Sequence, residues 1–139
     1  PVEAAATAAP PGVVPPLSLD NALSQIRSPD AEERVSALSR LREIDGIDQE
    51  TLRRAYDEGL RDADGEVRAT ALMGFVALEG DRSFGLLSEA MNDADASVRL
   101  AAVDGMDVNA QTRPYLEKAL SDADESVREL AGLRLGQRR

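Results

Sequence analysis

The stretch Asp62-Ala63-Asp64-Gly65-Glu66-Val67-Arg68 returns as Asp93-Ala94-Asp95-Ala96-Ser97-Val98-Arg99 and again as Asp122-Ala123-Asp124-Glu125-Ser126-Val127-Arg128. Copies starting at 62, 93 and 122 share a period of about 30 residues, the mark of one supersecondary unit used repeatedly. A degenerate copy lies upstream at Ser28-Pro29-Asp30-Ala31-Glu32-Glu33-Arg34, which keeps the second aspartate and the arginine. A large apolar residue, Ile26, Leu60, Met91 or Leu120, stands two places before each copy, and an alanine-rich stretch follows each. The unit therefore reads as helix, short acidic turn, helix.

Apolar spacing supplies the helices. Leu19, Leu23 and Ile26 form the first stripe after an N-cap at Ser18 or Asp20, and Pro29 ends it. The partner helix runs from about Ala31 to Ile44 and presents Ala37, Leu38, Leu41 and Ile44, with Gly46 as its left-handed end. Asp48 caps the next helix, Ile47 staples onto Leu52, and Leu52, Tyr56 and Leu60 share one face. Val67, Ala71, Phe75 and Leu78 follow, and Gly80 stops them. Phe84, Leu87 and Met91 pair with Val98, Ala102 and Met106 in the third unit. In the fourth, Thr112 is the expected N-cap, Pro114 fits the first turn, and Leu116 and Leu120 face Val127, Ala131 and Leu135. Arg134, Arg138 and Arg139 suit the negative end of the last helix. The units span about 17–46, 47–80, 81–109 and 110–139.

Residues 1–16 hold five of the seven prolines and one charge, so they read as an extended Ala/Pro-rich tether. The chain opens on Pro1 rather than Met, and the expectation is a processed signal or anchor ahead of it. A bacterial periplasmic location is expected on that basis, with the cytoplasm as the alternative.

Composition removes whole classes of function. With neither Cys nor His, the chain has no disulfide, thiolate nucleophile, imidazole base or ordinary zinc site. A net charge of −10 argues against gripping nucleic acid, which needs clustered Lys and Arg to displace counterions. No apolar run approaches the 18 or so residues a membrane span requires. The Asp-x-Asp pairs do not make a calcium loop: counted from Asp62, the twelfth position, where such a loop needs Glu, is Met73.

The repeated polar residues are read as architecture. Asp30, Asp64, Asp95 and Asp124 stand at N-cap positions, and Asp62, Asp93 and Asp122 close the turns before them. Arg34, Arg68, Arg99 and Arg128 can each reach a turn carboxylate of their own or the adjacent unit, building a ladder of charge-assisted hydrogen bonds along one edge.

These features resemble the HEAT repeat family, more closely the short bacterial HEAT-like type shared with the phycobilin lyases, whose second helix likewise opens with Asp, then Val-Arg, then Ala. The resemblance covers about residues 17–139. It implies an all-α fold, a right-handed α-solenoid of about four helix-turn-helix repeats, with second helices lining the concave side. Di-iron hydroxylases of this kind use His-Glu ligands, and alkylpurine glycosylases of similar fold use a basic cleft; this chain has neither feature.

The function expected is therefore a non-catalytic protein-interaction scaffold without cofactor or metal, taking a protein or peptide partner, cationic if the acidic surface selects it. A pigment or small-molecule lyase is the alternative, and a calcium-responsive adhesin a third reading. At 100° per residue from Val67, Met73 and Val76 fall about 240° and 180° away from the inward stripe. Equivalent outward positions are Ser39 and Arg42, Asp104 and Asp107, and Leu133 and Gly136, with Leu100 beside them. The expected partner-binding set is Met73, Val76, Leu100, Asp104, Asp107 and Leu133, although Met73, Val76 and Leu100 could equally pack on neighbouring units. Leu130 and Leu133 also lie off the inward stripe of the last helix, so the expectation is that either more repeats follow or this end meets a second chain by self-association.

Overall fold

The computed structural model describes residues 17–137, and these are all-helical. The expected tether at 1–16 and the terminal pair Arg138 and Arg139 lie outside the described residues. The helices are α1 (Leu19–Gln25), α2 (Ala31–Arg40), α3 (Gln49–Gly59), α4 (Gly65–Glu79), α5 (Phe84–Ala90), α6 (Ala96–Gly105), α7 (Arg113–Ala119) and α8 (Glu125–Arg134). Each expected helix is present, and the second is shortened by a 3₁₀ turn. Leu41–Glu43 tightens the end of α2, and Gly80–Ser83 joins α4 to α5.

Local chemistry explains the boundaries. Ser18 and Asp48 accept the Asn21 and Thr51 amides at the starts of α1 and α3. Asp30, Asp64, Asp95 and Asp124 cap α2, α4, α6 and α8 by accepting amide hydrogens two or three residues on. Gly80 ends α4 at φ 55°, a backbone conformation that side-chain-bearing residues seldom adopt. Thr112 corrects the expectation made of it: its hydroxyl makes no cap bond to α7. Instead it accepts the Asn109 amide and donates to the Asp107 carbonyl, bracing the loop between α6 and α7.

Packing is between even-numbered helices as well as within pairs. α4 touches α2, α3 and α6, while α6 in turn touches α4, α5 and α8. The core accordingly has two parts that meet at α4. Val67 and Ala71 are buried with Leu38, Leu41 and Tyr56, whereas Ala69 and Leu72 are buried with Val98, Val103 and Leu116. A helix held between two neighbours needs two apolar stripes. The second is set five residues after the residue preceding each arginine, at Leu38, Leu72 and Val103, about 140° round the helix from the first.

Small residues allow close approach within the pairs. Ala37, Ala71, Ala102 and Ala131 are all fully buried. A Cβ on Gly59 would stand 2.7 Å from that of Ala71, so α3 and α4 cross where neither carries bulk. Gly74 likewise lies under the Tyr56 ring, at a spot where a Cβ would be 2.3 Å from a ring carbon. Phe84 and Tyr115 meet edge to face at 5.6 Å, tying α5 to α7.

The arginine edge connects one turn to the next. Arg34 donates from Nε and Nη2 to the two carboxylate oxygens of Asp62, both at 2.9 Å, while Nη1 donates to the carbonyls of Ser28 and Pro29. Arg68 repeats this with Asp93 at 3.1 and 2.8 Å and the carbonyls of Asp62 and Ala63. Arg99 repeats it with Asp122, both bonds 3.0 Å, and the carbonyls of Asp93 and Ala94. Each fork is bidentate, and side-chain exposures of 12 to 19% place these pairs largely out of water.

The carboxylate partner is thus always the first aspartate of the following unit. Within the ladder Asp30, Asp64, Asp95 and Asp124 serve as caps, and no guanidinium bonds to their carboxylates among the described residues. The reason is reach: a cap oxygen is occupied by its own helix, whereas the first aspartate sits across the junction facing the fork. Asp62, Asp93 and Asp122 also accept the amide two residues on, closing an Asx turn.

The charges respond accordingly. The Arg68 hydrogen bonds hold the Asp93 carboxyl below the usual carboxylate range against the opposing effect of burial, and those of Arg99 do the same for Asp122. At Asp62 burial is the largest single influence and pushes upward. The Arg34 bonds, the Asp64 amide and the charges of Arg34 and Arg68 together outweigh it and lower the carboxyl.

Candidate interaction surface

Helices α4, α6 and α8 pack in succession, so their outward positions run in a row. Met73 is 56% exposed and Leu133 is 72% exposed, which makes them the most open large apolar side chains described. Asp104 lies in the same register between them and faces Arg134 of α8 at 3.9 Å. Ser39 and Arg42 are also exposed, the Ser39 hydroxyl turning back to the Ser36 carbonyl.

Val76 and Asp107 come together in one open groove. It is formed by the end of α4, the start of α5 and the loop after α6. Val76 and Phe84 are half-buried on its apolar side. Asp81 and Asp107, both exposed, supply its carboxylates. Gly105 lets this groove exist: a Cβ there would lie 3.5 Å from a Val76 methyl and 2.8 Å from Leu87.

The remaining expected residues separate. Leu100 is half-buried and packs against the core shared by α4 to α8, so it is less open than Met73 and Leu133. Leu133 lines a different groove, at the outer face of α8 with Leu120 and Arg128. Asp81 and Phe84 were not among the expected residues. The helical wheel of α4 and α6 cannot find them, because they come from the 3₁₀ turn and the following helix start.

The groove can hold an apolar side chain with cations beside it. Among the described residues no three acidic side chains gather to hold a metal ion, and no helix is long and apolar enough to cross a membrane. No family model matches the chain, and no curated protein matches its sequence.

Proposed function

We propose that this chain is a non-catalytic protein-interaction scaffold, a right-handed α-solenoid of four HEAT-like repeats that takes a partner segment along its second helices, α2, α4, α6 and α8. The handedness and the concave placement of those helices are what the HEAT resemblance implies. The unit-to-unit repetition of the arginine edge supports the stacked arrangement, because each fork meets the same carboxylate one unit on.

The observation that carries the binding reading is the groove lined by Val76 and Phe84 together with Asp81 and Asp107. An apolar lining shared with two carboxylates fits a segment with an apolar side chain flanked by Lys or Arg. Exposed Met73 extends the apolar surface, and Asp104 extends the acidic one.

A fluorescence-polarisation screen of short peptides carrying Leu, Met or Phe between basic residues tests the reading. Asp81→Asn with Asp107→Asn is expected to weaken the best peptide about tenfold, equivalent to about 1.4 kcal/mol, and to flatten its salt dependence. Val76→Ser and Met73→Ser should weaken it without altering that dependence. Unchanged binding in all these variants would remove the site from this face.

A further inference from the structure

The first helices of successive units leave a groove at each internal junction, and the three grooves can be compared position by position. Four places before the first aspartate of the following unit stand Glu58, Glu89 and Lys118, and seven places before it stand Ala55, Leu86 and Tyr115. The preceding unit contributes Arg27, Arg61 and Asn92, each immediately before its own turn. The cavities measure about 40 Å³ at the junction of α1 with α3, about 340 Å³ at that of α3 with α5, and about 420 Å³ at that of α5 with α7.

The first two junctions balance their own charges. Arg27 pairs with Glu58 at 3.5 Å. Arg61 and Glu89 line the second groove together, and Arg61 also reaches Asp57 there at 3.3 Å. The third junction reverses the pattern: the glutamate becomes Lys118, the only lysine of the chain, and the arginine becomes the neutral Asn92. Among the described residues no carboxylate answers the Lys118 ammonium. Asp122, in the same groove, has both oxygens on the Arg99 fork, and Glu117 pairs with Arg113 at 3.9 Å. In a chain of net charge −10 this unanswered cation is a local exception.

The rest of the groove is mostly apolar, lined by Met91, Pro114, Tyr115 and Ala119. The Tyr115 ring is held edge to face against Phe84 at 5.6 Å. A thioether and a fixed ring suit an aromatic guest, and Asn92 and Ser121 add hydrogen-bond donors within the same groove. Such a cavity, largely apolar with a few polar groups, has the size and character of a small-molecule site. Its walls come from two consecutive units already stacked on one another, so a further unit, which adds at the end of a stack, does not fill it.

We propose that the groove between α5 and α7 binds a small aromatic monocarboxylate, whose ring lies against Met91 and Tyr115 and whose carboxylate meets the Lys118 ammonium. One lysine matches one negative charge. A phosphate dianion would bring a second charge into an acidic chain with no cation left to answer it. No residue lines both this groove and the one at Val76, so either reading can fail without the other.

The probes are cinnamate, the uncharged cinnamamide and inorganic phosphate, each titrated onto the full chain and followed by NMR amide correlation spectra. Expected are saturable binding of cinnamate with shifts centred on Asn92, Tyr115, Lys118 and Ser121, about tenfold weaker binding of cinnamamide, and no binding of phosphate at the same concentrations. Lys118→Gln should bring cinnamate down to the level of cinnamamide and leave cinnamamide unchanged, whereas Lys118→Arg should keep the preference. Met91→Ala should weaken both aromatic probes by the same factor. Lys118 is exposed on α7, so circular dichroism should report intact helices in its variants. The inference is overturned if cinnamate does not bind, if its preference over the amide survives Lys118→Gln, if phosphate binds as well as cinnamate, or if the shifts centre on the Val76 groove. Binding seen only after removal of residues 1–16 would make the chain's own N-terminal segment the occupant, and binding of an acidic peptide without binding of cinnamate would make the groove a protein contact; both outcomes overturn it as well.

Discussion

Removing one rung of the arginine edge should cost more than removing the cap beside it, although both changes delete a turn aspartate. Asp93 accepts three hydrogen bonds: two from Arg68, at 3.1 and 2.8 Å, and one from the Asp95 amide at 2.8 Å. Asp95 accepts one, from the Ser97 amide. Bonds to charged groups contribute about 1.5–3 kcal/mol where water is excluded, and the lower end applies at an edge with 19% exposure of both partners. Asp93→Ala also leaves Arg68 pinned against the carbonyls of Asp62 and Ala63 with its fork unanswered. We expect a loss of about 3 kcal/mol for Asp93→Ala against about 1 kcal/mol for Asp95→Ala. A double-mutant cycle of Asp93→Ala with Arg68→Gln should return a coupling of about 1.5 kcal/mol. Urea titration followed by circular dichroism measures all three. Because the rung crosses a junction between units, the transition of Asp93→Ala should also broaden as neighbouring units uncouple. Equal losses for the two alanine variants, or a coupling near zero, would refute the assignment of stability to the fork.

Acid should act through the same carboxylates. Asp62, Asp93 and Asp122 are held below their ordinary range, so the stability they contribute is complete above that range and is lost as pH falls through the lowered folded values. The urea midpoint of the native chain should therefore fall more steeply than that of Asp93→Asn below about pH 4, closing the gap between them; parallel curves from pH 6 to pH 2.5 would contradict this. Two glycine replacements should move in opposite directions. Gly74→Ala drives a Cβ into the buried Tyr56 ring and should destabilise by about 1–2 kcal/mol despite alanine's better helix propensity, while Gly85→Ala, with open space around it, should stabilise by about 0.5 kcal/mol in thermal melts.

The order and ends of the helices were legible in the sequence because their causes are local. A cap aspartate bonds to an amide two or three residues away, and a glycine at positive φ ends a helix by its own backbone freedom. Asp30, Asp48, Asp64, Asp95, Asp124 and Gly80 therefore announce their roles by spacing alone. Thr112 has the same type of spacing, yet its hydroxyl is drawn to the Asp107 carbonyl and the Asn109 amide, partners set by the loop's path.

Tertiary structure decided what lies across a junction. The sequence by itself determined that four arginines and their turn carboxylates recur in step, and that each second helix has an apolar stripe. Which carboxylate each arginine meets depends on how one unit stacks on the next: the bonded pairs are 28, 25 and 23 residues apart, since intervening segments differ in length. The second stripe at Leu72 and Val103, the packing of Leu100 against the core, and the meeting of Val76 with Asp81, Phe84 and Asp107 have the same origin. One helix's periodicity records the face turned to its own partner, whereas a groove between units is made by residues whose only relation is that stacking brings them together.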